Sequence, residues 1–181
     1  MIRTETAVLG NGCFWCTEAI FQLLDGVISV KSGYSGGHTE NPDYKSVCTG
    51  ETGHAECLEI KYDPARISYQ ALLQVFFDTH DPTTLNRQGN DVGTQYRSVI
   101  FLMNNDQEQQ ARSYIKELND KSYFPRPVVT TLENFTRFFP AENYHQNYYL
   151  ENGTAPYCQF VVRPKVDKFK NKNPDKLKKM R

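Results

Sequence analysis

The sequence predicts an α+β protein, a two-layer α/β sandwich with a ferredoxin-like split βαβ core, long loops and an irregular C-terminal extension. Three observations carry that expectation. Apolar residues recur with strand and helix periods in the order β-α-β-β-α-β. A long stretch rich in Gly, Thr, Asn and Asp interrupts that order at residues 35–54. Beyond residue 163 the pattern fades into a polar, lysine-rich run.

Residues 6–9 (Thr-Ala-Val-Leu) read as a short buried strand, and Gly10-Asn11-Gly12 as a tight turn. An amphipathic helix is expected over 14–24, stopped at Gly26. Residues 27–34 alternate like a strand, as do 55–62, after which Asp63-Pro64 turns the chain. Ser68 caps a helix running through Phe77. Residues 94–103 form another strand, Asn104 or Asn105 caps a charged helix to about Asn119, and a weaker strand is expected near 128–132. The sequence shows no internal repeat.

A chain of 181 residues with 39% hydrophobic content can bury a sizeable single core. One catalytic domain is expected over 1–162, followed by a basic, polar extension over 163–181. That extension carries nine lysines or arginines against Asp167 and Asp175, a balance of +7 that leaves −7 for residues 1–162, since the net charge is zero. The acidic remainder lacks a basic face, so no nucleic-acid partner is expected. No stretch approaches the roughly 18 apolar residues of a membrane helix, and no basic segment precedes an apolar run at the start. A soluble, cytoplasmic monomer is the expectation. Five cysteines in such a compartment are expected to be reduced, and any disulfide to be transient and chemical.

Gly12-Cys13-Phe14-Trp15-Cys16 places a thiol where a strand hands over to a helix. At a helix N-terminus the unpaired N–H groups favour thiolate, so Cys13 is expected to be the reactive sulfur, and Cys16 lies on the same helix face within bridging reach. On the strand 55–62, Glu56 shares a face with Leu58, Ile60 and Tyr62. A carboxyl buried there stays protonated near neutrality and can donate a proton; alternatively Glu56 begins the strand at its wet end. Tyr44 and Tyr96 flank loops of unusual composition and can donate to an oxygen without carrying charge, or serve as packing. Asp91 can orient a neighbour or cap a turn, and His145 can line a site or satisfy a helix. Cys158 falls in an irregular segment from which a mobile thiol could swing, whereas Cys48 and Cys57 read as small packed hydrophobes. A single Cys-x-x-Cys and the lack of a paired-histidine motif argue against a metal site. Gly10-x-Gly12 is a poor dinucleotide fingerprint, because Trp15 stands where the third glycine would be.

Gly12-Cys13-Phe14-Trp15 with Glu18 resembles the signature of the A-type peptide methionine sulfoxide reductases. Gly53-His54-Ala55-Glu56, Asn90-Asp91-x-Gly93-Thr94-Gln95-Tyr96-Arg97-Ser98 and Pro140-Ala141-Glu142-x-Tyr144-His145-Gln146 agree with it in order, over residues 5–158. The resemblance implies that Cys13 attacks the sulfoxide sulfur, Glu56 protonates its oxygen, and Tyr44 and Tyr96 hold that oxygen. It further implies that Phe14 and Trp15 wall the methyl group, with Asp91 and His145 as further substrate-binding residues, and that the S epimer is taken. Cys13 would become a sulfenic acid, resolved by Cys158 or Cys16 into a disulfide that thioredoxin, the external reductant, reopens. No bound cofactor is implied; oxidised proteins and free methionine sulfoxide are the implied substrates. Cysteine at position 16 departs from the commoner Gly or Ala, which leaves the resolving partner open. Two rivals stand beside this reading: a thioredoxin-like dithiol oxidoreductase using Cys13 and Cys16, and an aromatic peptide-recognition patch around Phe14 and Trp15.

Overall fold

The computed structural model describes residues 2–179. Strand β1 (Glu5–Asn11) enters helix α1 (Phe14–Phe21), and the chain returns as β2 (Val27–Ser35). A short helix α2 (Tyr44–Cys48) precedes β3 (Ala55–Tyr62) and helix α3 (Tyr69–Asp78). A small ribbon, β4 (Arg87–Gln88) with β5 (Asp91–Val92), leads to β6 (Ser98–Leu102) and the long helix α4 (Asn105–Asp120). Strands β7 (Thr131–Asn134) and β8 (Phe138–Pro140), then helices α5 (Tyr148–Glu151) and α6 (Arg163–Lys172), complete the chain.

The main sheet runs β7-β6-β1-β3-β2-β8. Its four central strands are the split βαβ arrangement: β3 fills the slot between β1 and β2, and β1 fills the slot between β3 and β6, with antiparallel pairing throughout. β8 adds antiparallel to β2, and β7 adds parallel to β6. The two central strands position the site, because β1 ends at Asn11 just ahead of Cys13 while β3 begins beside it with Glu56.

The principal core lies between the sheet and its helices, built on Leu9, Ile20, Phe21, Leu58, Ile60, Leu72, Phe76 and Ile100. Seven of the eight residues of α1 are buried, so this helix is enclosed on both sides rather than half-exposed. The second cover comes from the end of the chain. Val162, just ahead of α6, and Val166 and Phe169 on it, spaced four and three apart, bury one stripe in the same core as α1. Leu177 forms a bridge to Leu24, and Lys178 N–H donates to the Leu23 carbonyl at 2.8 Å.

Several expectations are corrected. The tail from 163 is helical through Lys172 and part of the core, because three apolar residues at helical spacing outweigh the charged residues between them, of which Arg163, Asp167 and Lys168 are exposed. Its basic end, Met180-Arg181, lies outside the described residues. Residues 35–54 contain α2, nucleated by an Asp43–Ser46 capping box, and His54 staples the loop by accepting from Gly37 N–H at 3.0 Å. The first helix closes at Phe21, short of residue 24. The strand expected over 94–103 begins at Ser98, preceded by a 3₁₀ turn, Thr94–Tyr96. The weak strand expected near 128–132 occupies Thr131–Asn134.

Candidate active site

Gly12 ends β1 at φ +102°, a conformation side chains rarely take, and a Cβ there would lie 2.8 Å from Gln88. That turn delivers Cys13 as the N-cap residue of α1, partly exposed. Behind it, Thr17 Oγ1 donates to the Asn11 side chain, tying the strand end to the helix. Glu56, on the second position of β3, is only 2% exposed and lies on the core face, as its alternation with Leu58 and Ile60 predicts. Its Oε1 accepts the Phe14 backbone N–H at 3.3 Å, so the carboxyl is anchored one residue from Cys13. Burial pushes the Glu56 carboxyl up to about 8; the Phe14 N–H opposes that rise, and the Asp91 charge adds to it. Cys13 and Glu56 are thus brought together, with the acid protonated at neutral pH.

The next wall is aromatic. Phe14 packs on Tyr34 (5.7 Å) and His145 (5.0 Å). Trp15 stacks on Tyr148 at 3.7 Å and donates its Nε1–H to His145 Nδ1 at 3.0 Å. The segment carrying His145 is held by Glu142, which accepts from the Tyr34 hydroxyl (3.0 Å), the Tyr44 backbone N–H (3.1 Å) and the Tyr144 hydroxyl (3.1 Å). Gln146 pairs with both backbone groups of Ser32 on β2. The motif 140–146 therefore docks a second layer onto α1 and β2. Glu18, buried beneath it, accepts from the Ser32 hydroxyl at 3.3 Å, and burial raises its carboxyl to about 7.

Tyr44, at the start of α2, has its ring 4.5 Å from His145. Tyr96 closes the 3₁₀ turn before β6, half-buried. Burial raises both phenols; the Cys48 thiol comes next for Tyr44, and the Glu56 charge next for Tyr96. Both remain O–H donors near Glu56. Asp91 accepts from the Tyr157 hydroxyl at 2.9 Å, linking the β4–β5 ribbon to the approach to Cys158. Tyr157 also sets its edge against Trp15 at 5.6 Å. Sequence reasoning missed Tyr34, Tyr148, Tyr157 and Glu142 as site builders. Only Glu142 was signalled, by its place in the motif 140–146.

The thiols depart most from expectation. Burial, the adjacent Cys16 sulfur and the Glu56 charge push the Cys13 thiol well up, outweighing the Trp15 backbone N–H that favours thiolate. Cys16 is lowered, first by the Cys13 thiol and then, against burial, by the Lys165 ammonium. The two thiols are thus neighbours in one hydrogen-bonded pair, with Lys165 of α6 near the Cys16 side. Cys158 is not on a mobile strap: it is fully buried, opens a turn of π-helix (Cys158–Val162) and shares the core with Cys16. Cys48 is exposed beside Tyr44 rather than packed, while Cys57 is buried on the opposite sheet face with Val8 and Val99. All five cysteines are free. Among the described residues no cluster of His, Cys, Asp and Glu could hold a metal ion, and no helix is long and apolar enough to cross a membrane.

This geometry meets its match in known proteins. The family model described as peptide methionine sulfoxide reductase covers residues 5–178. The chain belongs to the peptide methionine sulfoxide reductase family. A peptide methionine sulfoxide reductase of Chromobacterium violaceum is 56% identical over 168 residues, spanning 93% of this chain and 96% of that protein. Among solved structures, reduced Mxr1 from Saccharomyces cerevisiae superposes with a TM-score of 0.79 at 36% identity, covering 86% of this chain and 90% of that one. Mxr1 in complex with Trx2 gives 0.56 at 27% identity, with 81% and 85% covered. This reductase is therefore an oxidoreductase that reduces methionine sulfoxide.

Proposed function

We propose that this reductase acts on methionine-S-sulfoxide, free and in oxidised proteins, with Cys13 as nucleophile, Glu56 as general acid and a thioredoxin as external reductant. The observation that carries the reading is the protonated Glu56 carboxyl fastened to the Phe14 N–H beside Cys13. Cys13, its thiol proton given up to solvent, attacks the sulfoxide sulfur as a thiolate while Glu56 protonates the oxygen. Methionine leaves, Cys13 becomes a sulfenic acid and Glu56 a carboxylate. Tyr44 and Tyr96 donate to the oxygen; Phe14 and Trp15 enclose the methyl group, with Asp91 and His145 beside them. Contacts to methyl, oxygen and sulfur at once select one epimer.

Condensation of the sulfenic acid with a second thiol gives a disulfide and water. The enclosure of Cys158 favours Cys16 as first partner: Cys16 already neighbours Cys13, and Cys158, which shares the core with Cys16, takes the disulfide onward. The Mxr1–Trx2 complex supports a thioredoxin as the partner that reopens it. Five free cysteines fit a reducing, cytoplasmic compartment. We take the described chain as one catalytic unit that includes α6. Mass-spectrometric mapping of disulfides after one equivalent of methionine sulfoxide, in the wild type and in Cys16→Ser and Cys158→Ser, tests the order. Cys16–Cys158 is expected in the wild type and Cys13–Cys16 in Cys158→Ser. A Cys13–Cys158 bond formed at full rate in Cys16→Ser would reverse it.

A further inference from the structure

We propose that His145 is the positioning residue of the methyl-binding wall: a neutral imidazole whose Nδ1 lone pair takes the Trp15 indole N–H and so fixes the plane of that ring. The proposal rests on the reading of Trp15 as that wall. An indole nitrogen can only donate, so at 3.0 Å the facing His145 Nδ1 must accept. The hydrogen of the neutral ring is then on Nε2. Nε2 is buried with no hydrogen-bond partner among the described residues, and lies 4.0 Å from Glu142 Oε2, too far for a bond but near enough to orient the N–H. The imidazole itself is fully enclosed, between Phe14 at 5.0 Å and the rings of Tyr44 (4.5 Å) and Tyr144 (4.1 Å).

The arrangement holds the indole from two directions. Tyr148 stacks flat on it at 3.7 Å, which limits tilt, while the single hydrogen bond stops rotation within the plane. A His145 protonated on Nδ1 would set N–H against N–H and release the ring. Burial lowers the imidazole below its ordinary range, with the Glu142 charge opposing, which keeps the acceptor form at neutrality. The groups facing it are Glu142 and Tyr144 on its own segment and Tyr44 on α2; the neighbours on α1, Phe14 and Trp15, do not titrate.

Trp15 is the only tryptophan, so its indole resonance is unambiguous. Nitrogen NMR of the wild type at pH 7 should find His145 protonated on Nε2 and bare on Nδ1; the opposite tautomer would overturn the proposal. His145→Leu should speed exchange of the indole N–H about tenfold and raise KM for a methionine sulfoxide peptide about tenfold, with kcat within about twofold, as expected for one buried hydrogen bond. His145→Gln, whose amide oxygen can take the same N–H, should recover most of both effects. Unchanged exchange in His145→Leu, or a Gln variant as impaired as the Leu variant, would refute the role of His145. Faster exchange with KM unmoved would instead refute Trp15 as the methyl wall.

Discussion

Replacing Glu56 by Gln removes the proton assigned to the sulfoxide oxygen while keeping an oxygen for the Phe14 N–H, so the fold around Cys13 should survive. With its carboxyl held at about 8 by burial, Glu56 is about nine-tenths protonated at pH 7 and about one-tenth at pH 9. Ionisation of the other groups over the same range obscures the wild-type profile on its own. Dividing wild-type by variant single-turnover rates at each pH removes the dependence common to both proteins and leaves what Glu56 itself contributes. The ratio should be about 10² at pH 7, the low end for general acid catalysis. It should fall about tenfold by pH 9, as the wild-type acid is lost and the amide has nothing to lose. Rapid-quench mixing with a methionine sulfoxide peptide, counting the methionine formed, gives the numbers. A ratio near one, or one that stays constant from pH 7 to 9, would refute the assignment of Glu56.

Tyr96→Phe should slow the same single turnover about tenfold by removing one donor from the oxygen, with thermal stability little changed because the half-buried ring is kept. Phe169→Ala should cost about 3–5 kcal/mol in urea melts, since the ring is 4% exposed and closes the cover over α1. Gly33→Ala would put a Cβ 2.3 Å from the Phe138 ring and 2.4 Å from the Phe139 carbonyl, forcing β8 off β2. A loss of about 2 kcal/mol or more is expected, with reduced activity, because β8 leads directly into the segment carrying Glu142 and His145.

Local pattern made the site's first layer legible. Alternation along 55–62 placed Glu56 on the core face, and a strand-to-helix turn placed Cys13 at a helix start; the turn is shorter than the expected Gly10-Asn11-Gly12, because Gly10 and Asn11 pair with Val99 and Ser98 as part of β1 and Gly12 alone turns the chain. What sequence could not disclose was long-range packing. Cys158 read as mobile because Ala155-Pro156-Tyr157 breaks the periodicity, yet Val162, Val166 and Phe169 draw the following helix over α1 and bury it. The same helix brings Lys165 toward Cys16, where it adds to the Cys13 hydrogen bond in lowering that thiol. His145 offered no signal of its partner, since the Trp15 bond joins residues 130 apart in sequence. Position 16 stood out as a departure from the family pattern, but only the packed neighbours show why its sulfur is close to both Cys13 and Cys158.

The reaction requires Cys13 to receive the oxygen. In the double variant Cys16→Ser with Cys158→Ser, one equivalent of methionine sulfoxide peptide followed by dimedone should yield one methionine per chain, with the sulfenic acid adduct mapped to Cys13. No methionine, or an adduct at Cys48 or Cys57 in place of Cys13, would contradict it.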